Sequence, residues 1–118
     1  MKRIKDIVDL SQDVPAHSYL PKPERIINGH PQQSIRNHFS SAHGDFSVGL
    51  WEGAPGRWHV VYTEDEYCEI LSGESLIYDA SGNVKVVGTG DRFVIPAGFN
   101  GIWEVVADCK KVYVTFQA

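Results

Sequence analysis

The chain has 118 residues, 42% of them hydrophobic and 22% charged, with a formal net charge of -4. That is one domain of ordinary globular composition, long enough to bury roughly two-thirds of its unfolded surface without a disulfide or metal staple. The acidic balance lacks the clustered positive charge that nucleic acid or an anionic membrane surface requires, so neither is expected as a partner, and no apolar run is long enough to span a bilayer.

Residues 1–45 read as an irregular N-terminal extension. They are rich in turn formers (Pro15, Pro21, Pro23, Pro31, Asn28, Gly29) and hold four histidines, His17, His30, His38 and His43. Ile4, Ile7, Val8 and Leu10 suggest a short amphipathic helix or an edge strand. Met1 to Leu10 mixes lysines with Asp6 and Asp9 and has no uninterrupted apolar stretch, so a signal peptide is not expected and the cytoplasm is the expected compartment. So long a stretch without regular pattern is expected to pack along the rest of the fold or on a partner subunit.

From residue 46 to 118 the texture changes. Short β-branched and aromatic runs alternate with glycine turns, the pattern of a sandwich or barrel. The predicted strands are Phe46–Trp51, Trp58–Tyr62, Tyr67–Leu71, Ser75–Tyr78, Val84–Val87, Arg92–Ile95, Ile102–Val106 and Lys111–Phe116. Asp79-Ala80-Ser81-Gly82-Asn83 is a predicted hairpin turn, because Gly82 takes positive φ at no steric cost. Pro96-Ala97-Gly98 is another. Eight short strands in so few residues fit an all-β jelly roll, which manages its sheet edges by folding two sheets over each other. Cys68 and Cys109 lie far apart in the chain and form no metal-type pair; Cys68 falls in a predicted strand and reads as a buried, inert thiol.

Two glycine-framed motifs carry a resemblance. The first runs glycine, His-x-His, Glu, glycine, and this chain supplies Gly53, His59, Val61, Glu66 and Gly73 at those spacings. The second runs glycine, Pro-x-Gly, His, Asn, and is met by Gly90, Pro96 and Gly98, with Gly101 and Val105 standing where His and Asn would be. In these motifs the chain resembles the cupin superfamily. The strings GLWEGAPG, DEYCEILSGE, GDRFVIPAGFNGIWEV and KKVYV are similar to the branch typified by ureidoglycine aminohydrolase. The resemblance implies a cupin jelly-roll barrel, or double-stranded β-helix, that is often dimeric. It also implies a site inside the barrel built around four metal ligands, of which Val61 and Gly101 replace two.

In a strand, residues two apart share a face. His59 and Val61 therefore point one way, as do Gly101, Trp103 and Val105, and in the family's register these sets line the barrel with Glu66. A buried His59 and Glu66 then need each other, a water, a metal or a ligand, since an unpaired buried polar group costs a few kcal/mol. The expected ligand-binding set is His59, Glu66, Trp103, Arg57, Val61 and Gly101. Trp51 and Trp58 are further candidate walls, with core packing the better reading for Trp58. No cofactor is expected, because a transition-metal site usually needs three protein ligands. If a divalent transition metal were present, His59 and Glu66 would hold it, with a third ligand from His38, His43 or Tyr62. Glu64 and Asp65 read as solvated turn residues, and Glu52, Glu69 and Glu104 as partners for Arg57, Arg92 or Lys111. The expected function is binding of a small polar metabolite inside the barrel of a homodimer. The alternative is a metal-dependent hydrolase acting on ureido or amide nitrogen.

Overall fold

Apolar side chains at every second position bury one face of a strand and leave the other to solvent, so a chain of such strands curls its sheet around the buried faces. The computed structural model describes residues 1–118, and its regular structure apart from two three-residue 3-10 turns is β: β1 (His17–Tyr19), β2 (Ile26–Gly29), β3 (Gln33–Ser40), β4 (Phe46–Gly53), β5 (Gly56–Val61), β6 (Asp65–Asp79), β7 (Val84–Gly88), β8 (Arg92–Ile95) and β9 (Asn100–Phe116). All the pairings are antiparallel.

The sheet is built on β9. Along one edge it pairs with β6 from Phe116↔Asp65 to Gly101↔Asp79. Along the other it pairs with β4 from Phe116↔Phe46 to Cys109↔Gly53, then with β5 from Val105↔Gly56 to Asn100↔Val61. Thus β4 and β5 are one ribbon broken at Ala54 and Pro55. In the same way β8 and β7 cover the far edge of β6, and β3 and β2 cover the far edge of β4 and β5, with β1 on β3. The long ribbons bend at their middles, where β6 shifts register between Ile70 and Ser75. Gly73 makes that bend possible. Its φ is +87°, and a Cβ there would overlap the Asp108 carbonyl oxygen. The result is the expected all-β jelly-roll barrel. Its core joins Trp51, Trp58 and Trp103 to Cys68, Ile70, Ile77, Val87, Ile95, Val105, Cys109 and Tyr113.

Three sequence expectations need correction. The stretch up to residue 45 is not irregular throughout: β1, β2 and β3 belong to the same sheet as the rest. Their polar composition hides them, because their stability comes from pairing with β4 and β5 and not from an apolar alternation of their own. Ile4, Ile7, Val8 and Leu10 form neither an amphipathic helix nor an edge strand; only a 3-10 turn at Ile4–Asp6 is present, with Ile4 and Ile7 exposed. Two pairs of predicted strands are each one strand, β6 and β9, continuous through their bends. No helix is long and apolar enough to cross a membrane.

Candidate functional site

The inward faces of β3, β4, β5, β6 and β9 enclose a cup of about 370 Å³. Its floor is set by the alternation of β9. Trp103, Val105, Cys109, Lys111 and Tyr113 all take the buried face, which places a lysine among apolar neighbours. Lys111 reaches Glu66 on the adjoining β6, Nζ to carboxylate 3.2 Å, with both side chains nearly out of contact with water. The ammonium also lies over two indole rings, 4.3 Å from the Trp103 centroid and 4.8 Å from that of Trp51. Burial is the largest single influence on the Lys111 pKa and pushes it down, but the Glu66 carboxylate, together with Tyr62 and Cys68, raises it above its ordinary value and holds the lysine charged.

Hydrogen bonds fix the surrounding side chains. The Trp51 indole N–H donates to Gln33 Oε1 at 2.9 Å, and the Trp103 indole N–H donates to Ser75 Oγ at 3.1 Å. The Tyr113 hydroxyl donates to Asn37 Oδ1 at 2.6 Å. Trp51 and Trp103 meet edge to face at 5.8 Å, an arrangement favoured by the ring quadrupoles. Glycine makes room for this packing: a Cβ at Gly49 would overlap the Arg36 carbonyl oxygen, and one at Gly53 would overlap the Trp51 ring. Tyr19, Ile35, Val60, Tyr62 and Glu64 form part of the wall, and Ser47 and Thr115 add hydroxyls. Desolvation raises the pKa of Tyr19 and Tyr62, and raises Tyr113 to about 12, so the phenols stay protonated at neutral pH. The Cys68 thiol beneath, pushed up to about 12 mainly by burial, stays protonated as well.

Of the residues expected to line the barrel, Glu66 and Trp103 meet in the cup. His59, Val61 and Arg57 do not: they share the outward face of β5, while Trp58 and Val60 point in. The register decides this, because Trp58 pairs with Trp103 and His59 with Ile102. A one-residue change of phase exchanges the faces of a strand, and burying the Trp58 indole outweighs burying the His59 imidazole. His59 therefore neither hydrogen-bonds Glu66 nor could share a metal with it. Arg57 instead lies over the Tyr78 ring at 4.7 Å, next to the Tyr78–Glu104 hydrogen bond. Gly101 is buried with no room for a side chain, since a Cβ would overlap the Tyr78 carbonyl oxygen. Of the three residues considered as a third ligand, Tyr62 lines the cup, His43 is exposed in a turn, and His38 contacts the Arg36 and Gln12 carbonyls away from it. Glu64 lies in the expected bend between β5 and β6, half-buried and lining the cup, and the exposed Asp65 accepts a hydrogen bond from the Ala97 N–H. Lys111 pairs with Glu66, and Glu52 pairs with Lys110.

The cup's floor is a poor fit to the metal that the resemblance implies. No three His, Cys, Asp or Glu side chains converge, and Glu66 already holds an ammonium, which has no lone pair to give and repels a dication.

A family model for the EutQ-like cupin domain matches residues 40–113. No curated protein matches the sequence. Among solved structures, an ethanolamine utilization protein Q from Salmonella typhimurium superposes with a TM-score of 0.65 at 18% identity, over 73% of this chain and 70% of that one. A DUF861-family protein of unknown function from Pseudomonas syringae gives 0.79 at 20% identity over 92% of this chain, which spans only 46% of that longer chain. A DUF1255 protein of unknown function from Acidithiobacillus ferrooxidans gives 0.63 at 21% identity over 96% and 98% of the two chains. At these identities the likeness is one of fold.

Proposed function

For a chain that belongs to the EutQ-like cupin family, we propose a small-molecule-binding role in which a polar metabolite enters the barrel cup and no metal takes part. The observation that carries this reading is the floor of the cup. A buried ion pair is costly to build and stabilises little against an apolar replacement, so its presence at the base of an open cavity fits a ligand better than a packing requirement. Only one conventional hydrogen-bond acceptor reaches Lys111, although an ammonium carries three donors. The indoles, phenols and amides around it are the mixture of apolar wall and sparse polar groups that orients a small ligand.

Binding is favoured over proton transfer by these groups. An efficient acid or base titrates near the working pH, whereas Lys111, Tyr62 and Tyr113 are all held well above it. The similarity to the ureidoglycine aminohydrolase branch argues for including ureido and amide compounds in a ligand panel. A hydrolysis depending on a metal has no ligand set in this cup. The protein is read as a homodimer. A thermal-shift screen of small polar metabolites tests the proposal: a compound that binds the native state raises the melting temperature. A stabiliser whose effect disappears in Lys111→Met supports the cup as its site. A stabiliser unaffected by Lys111→Met and Glu66→Gln would place binding elsewhere.

A further inference from the structure

The charges of the cup do not balance. Three charged side chains line it, Glu64, Glu66 and Lys111. Lys111 is neutralised by Glu66, while Glu64 takes part in none of the ion pairs of the molecule. Glu64 therefore leaves one uncompensated, half-buried carboxylate facing an open cup that Tyr19 and Tyr62 also line. The floor beneath shows what such surroundings hold. There, a carboxylate and two aromatic faces retain a primary ammonium, that of Lys111. Glu64, Tyr19 and Tyr62 line the same cup, a second carboxylate and aromatic rings without a resident cation.

We propose that the cup selects a hydroxylated primary amine, with its ammonium on Glu64 between the tyrosines and its hydroxyls on the polar wall. This rests on the binding role proposed above and adds the class of ligand. An ammonium there gains a charge-assisted hydrogen bond and attraction to the ring faces. A carboxylate ligand would instead meet the charges of Glu64 and Glu66, and the one cation of the cup, Lys111, has its charge already balanced by Glu66 although it has hydrogen-bond donors to spare. Thr115 offers a hydroxyl to a polyol skeleton, and Ser47 and Asn37, held in a network through Ser40 and Tyr113, add further polar atoms to the wall. The cup's roughly 370 Å³ is ample for a compound of amino-sugar size. Burial and the neighbouring Glu66 both raise the Glu64 pKa, a penalty that a bound cation would relieve.

The test uses the full chain and two matched triads differing in charge: serinol, glycerol and glycerate, and glucosamine, glucose and glucuronate. Calorimetric titration or backbone amide shifts give each affinity. The expected result is that an amine binds about tenfold or more tightly than its neutral and anionic congeners, and that Glu64→Gln removes this preference while the melting temperature is retained. If a glycerate or a neutral congener binds as well as its amine, the inference is wrong and the cup still binds small molecules. If Glu64→Gln keeps the amine preference, the cation sits elsewhere and the inference is likewise wrong. If no member binds and the metabolite screen finds no stabiliser, the binding role itself fails.

Discussion

Lys111 and Glu66 are the residues on which the site depends, and their energetics can be separated from their function. Removing one partner of a buried ion pair leaves the other charged and unsatisfied, at about 3–5 kcal/mol, whereas replacing both by apolar groups of similar volume is often neutral or stabilising. Lys111→Met and Glu66→Leu are therefore each expected to be strongly destabilising, and the double variant to recover most of the loss in urea denaturation. Additive losses would mean that the two side chains do not depend on each other. The same buried groups set the response to alkali. The folded pKa values of Lys111, Cys68 and Tyr113 lie above their ordinary ones. In each case the folded form keeps a proton that the unfolded chain has begun to lose. Their stabilising effect is complete below the unfolded values and declines as pH rises through the folded ones. Melting temperature should therefore hold from pH 7 to about 9 and fall between roughly pH 9 and 12. A flat profile up to pH 11 would contradict these assignments.

At the scale of the strand, much of the chain was legible because alternation is a local signal. The runs from Phe46 onward, the Gly82 and Pro96–Gly98 turns and the inward set Trp103 and Val105 are where the pattern puts them. What alternation cannot supply is phase. In β5 the face that points inward depends on which residues of β9 lie opposite, and that pairing joins distant parts of the chain. Hence Trp58 and Val60 occupy the side assigned to His59 and Val61. Lys111 had a usable signal. Carrying the alternation of Trp103 and Val105 through to Tyr113 places Lys111 on the same face, but lysines are so seldom buried that residue type argued the other way. Tyr19, Gln33 and Asn37 lie in segments with little pattern of their own, so they could be found only through pairing. The bends are equally specific. Gly73→Ala is expected to cost at least about 1–3 kcal/mol, from positive φ and from overlap with Asp108, measured by chemical denaturation. Gly82→Ala, also at positive φ but with open space around it, should cost about 1 kcal/mol. Equal losses at the two sites would show that the packing at Gly73 adds nothing.

Taken whole, the sheet presents a second apolar surface on its outside. The register aligns Val94, Tyr67, Val114, Val48 and Phe39 in one row across β8, β6, β9, β4 and β3. Val94 and Phe39 at its ends are well exposed, as are Phe46 and Phe116 nearby. The adjoining row holds Arg92 beside Glu69, opposite charges that could meet across a two-fold axis, as a self-complementary interface requires. A homodimer formed through this face is expected to appear in sedimentation analysis, with Val114→Lys dissociating it and leaving the cup intact. A monomer at all concentrations would show that this face is not an interface between copies of the chain.

Binding of a ligand over the Lys111–Glu66 floor can be read by nuclear magnetic resonance of the indole N–H groups and arginine side chains. A stabilising metabolite from the screen would be titrated into the full chain. Because the Trp51 and Trp103 rings line the cup and their indole hydrogens are held by Gln33 and Ser75, saturable shifts are expected at those two indole signals and none at the Arg57 guanidinium on the outer face. Shifts centred on Arg57 and the backbone of His59, with Trp51 and Trp103 unmoved, would contradict binding over that floor.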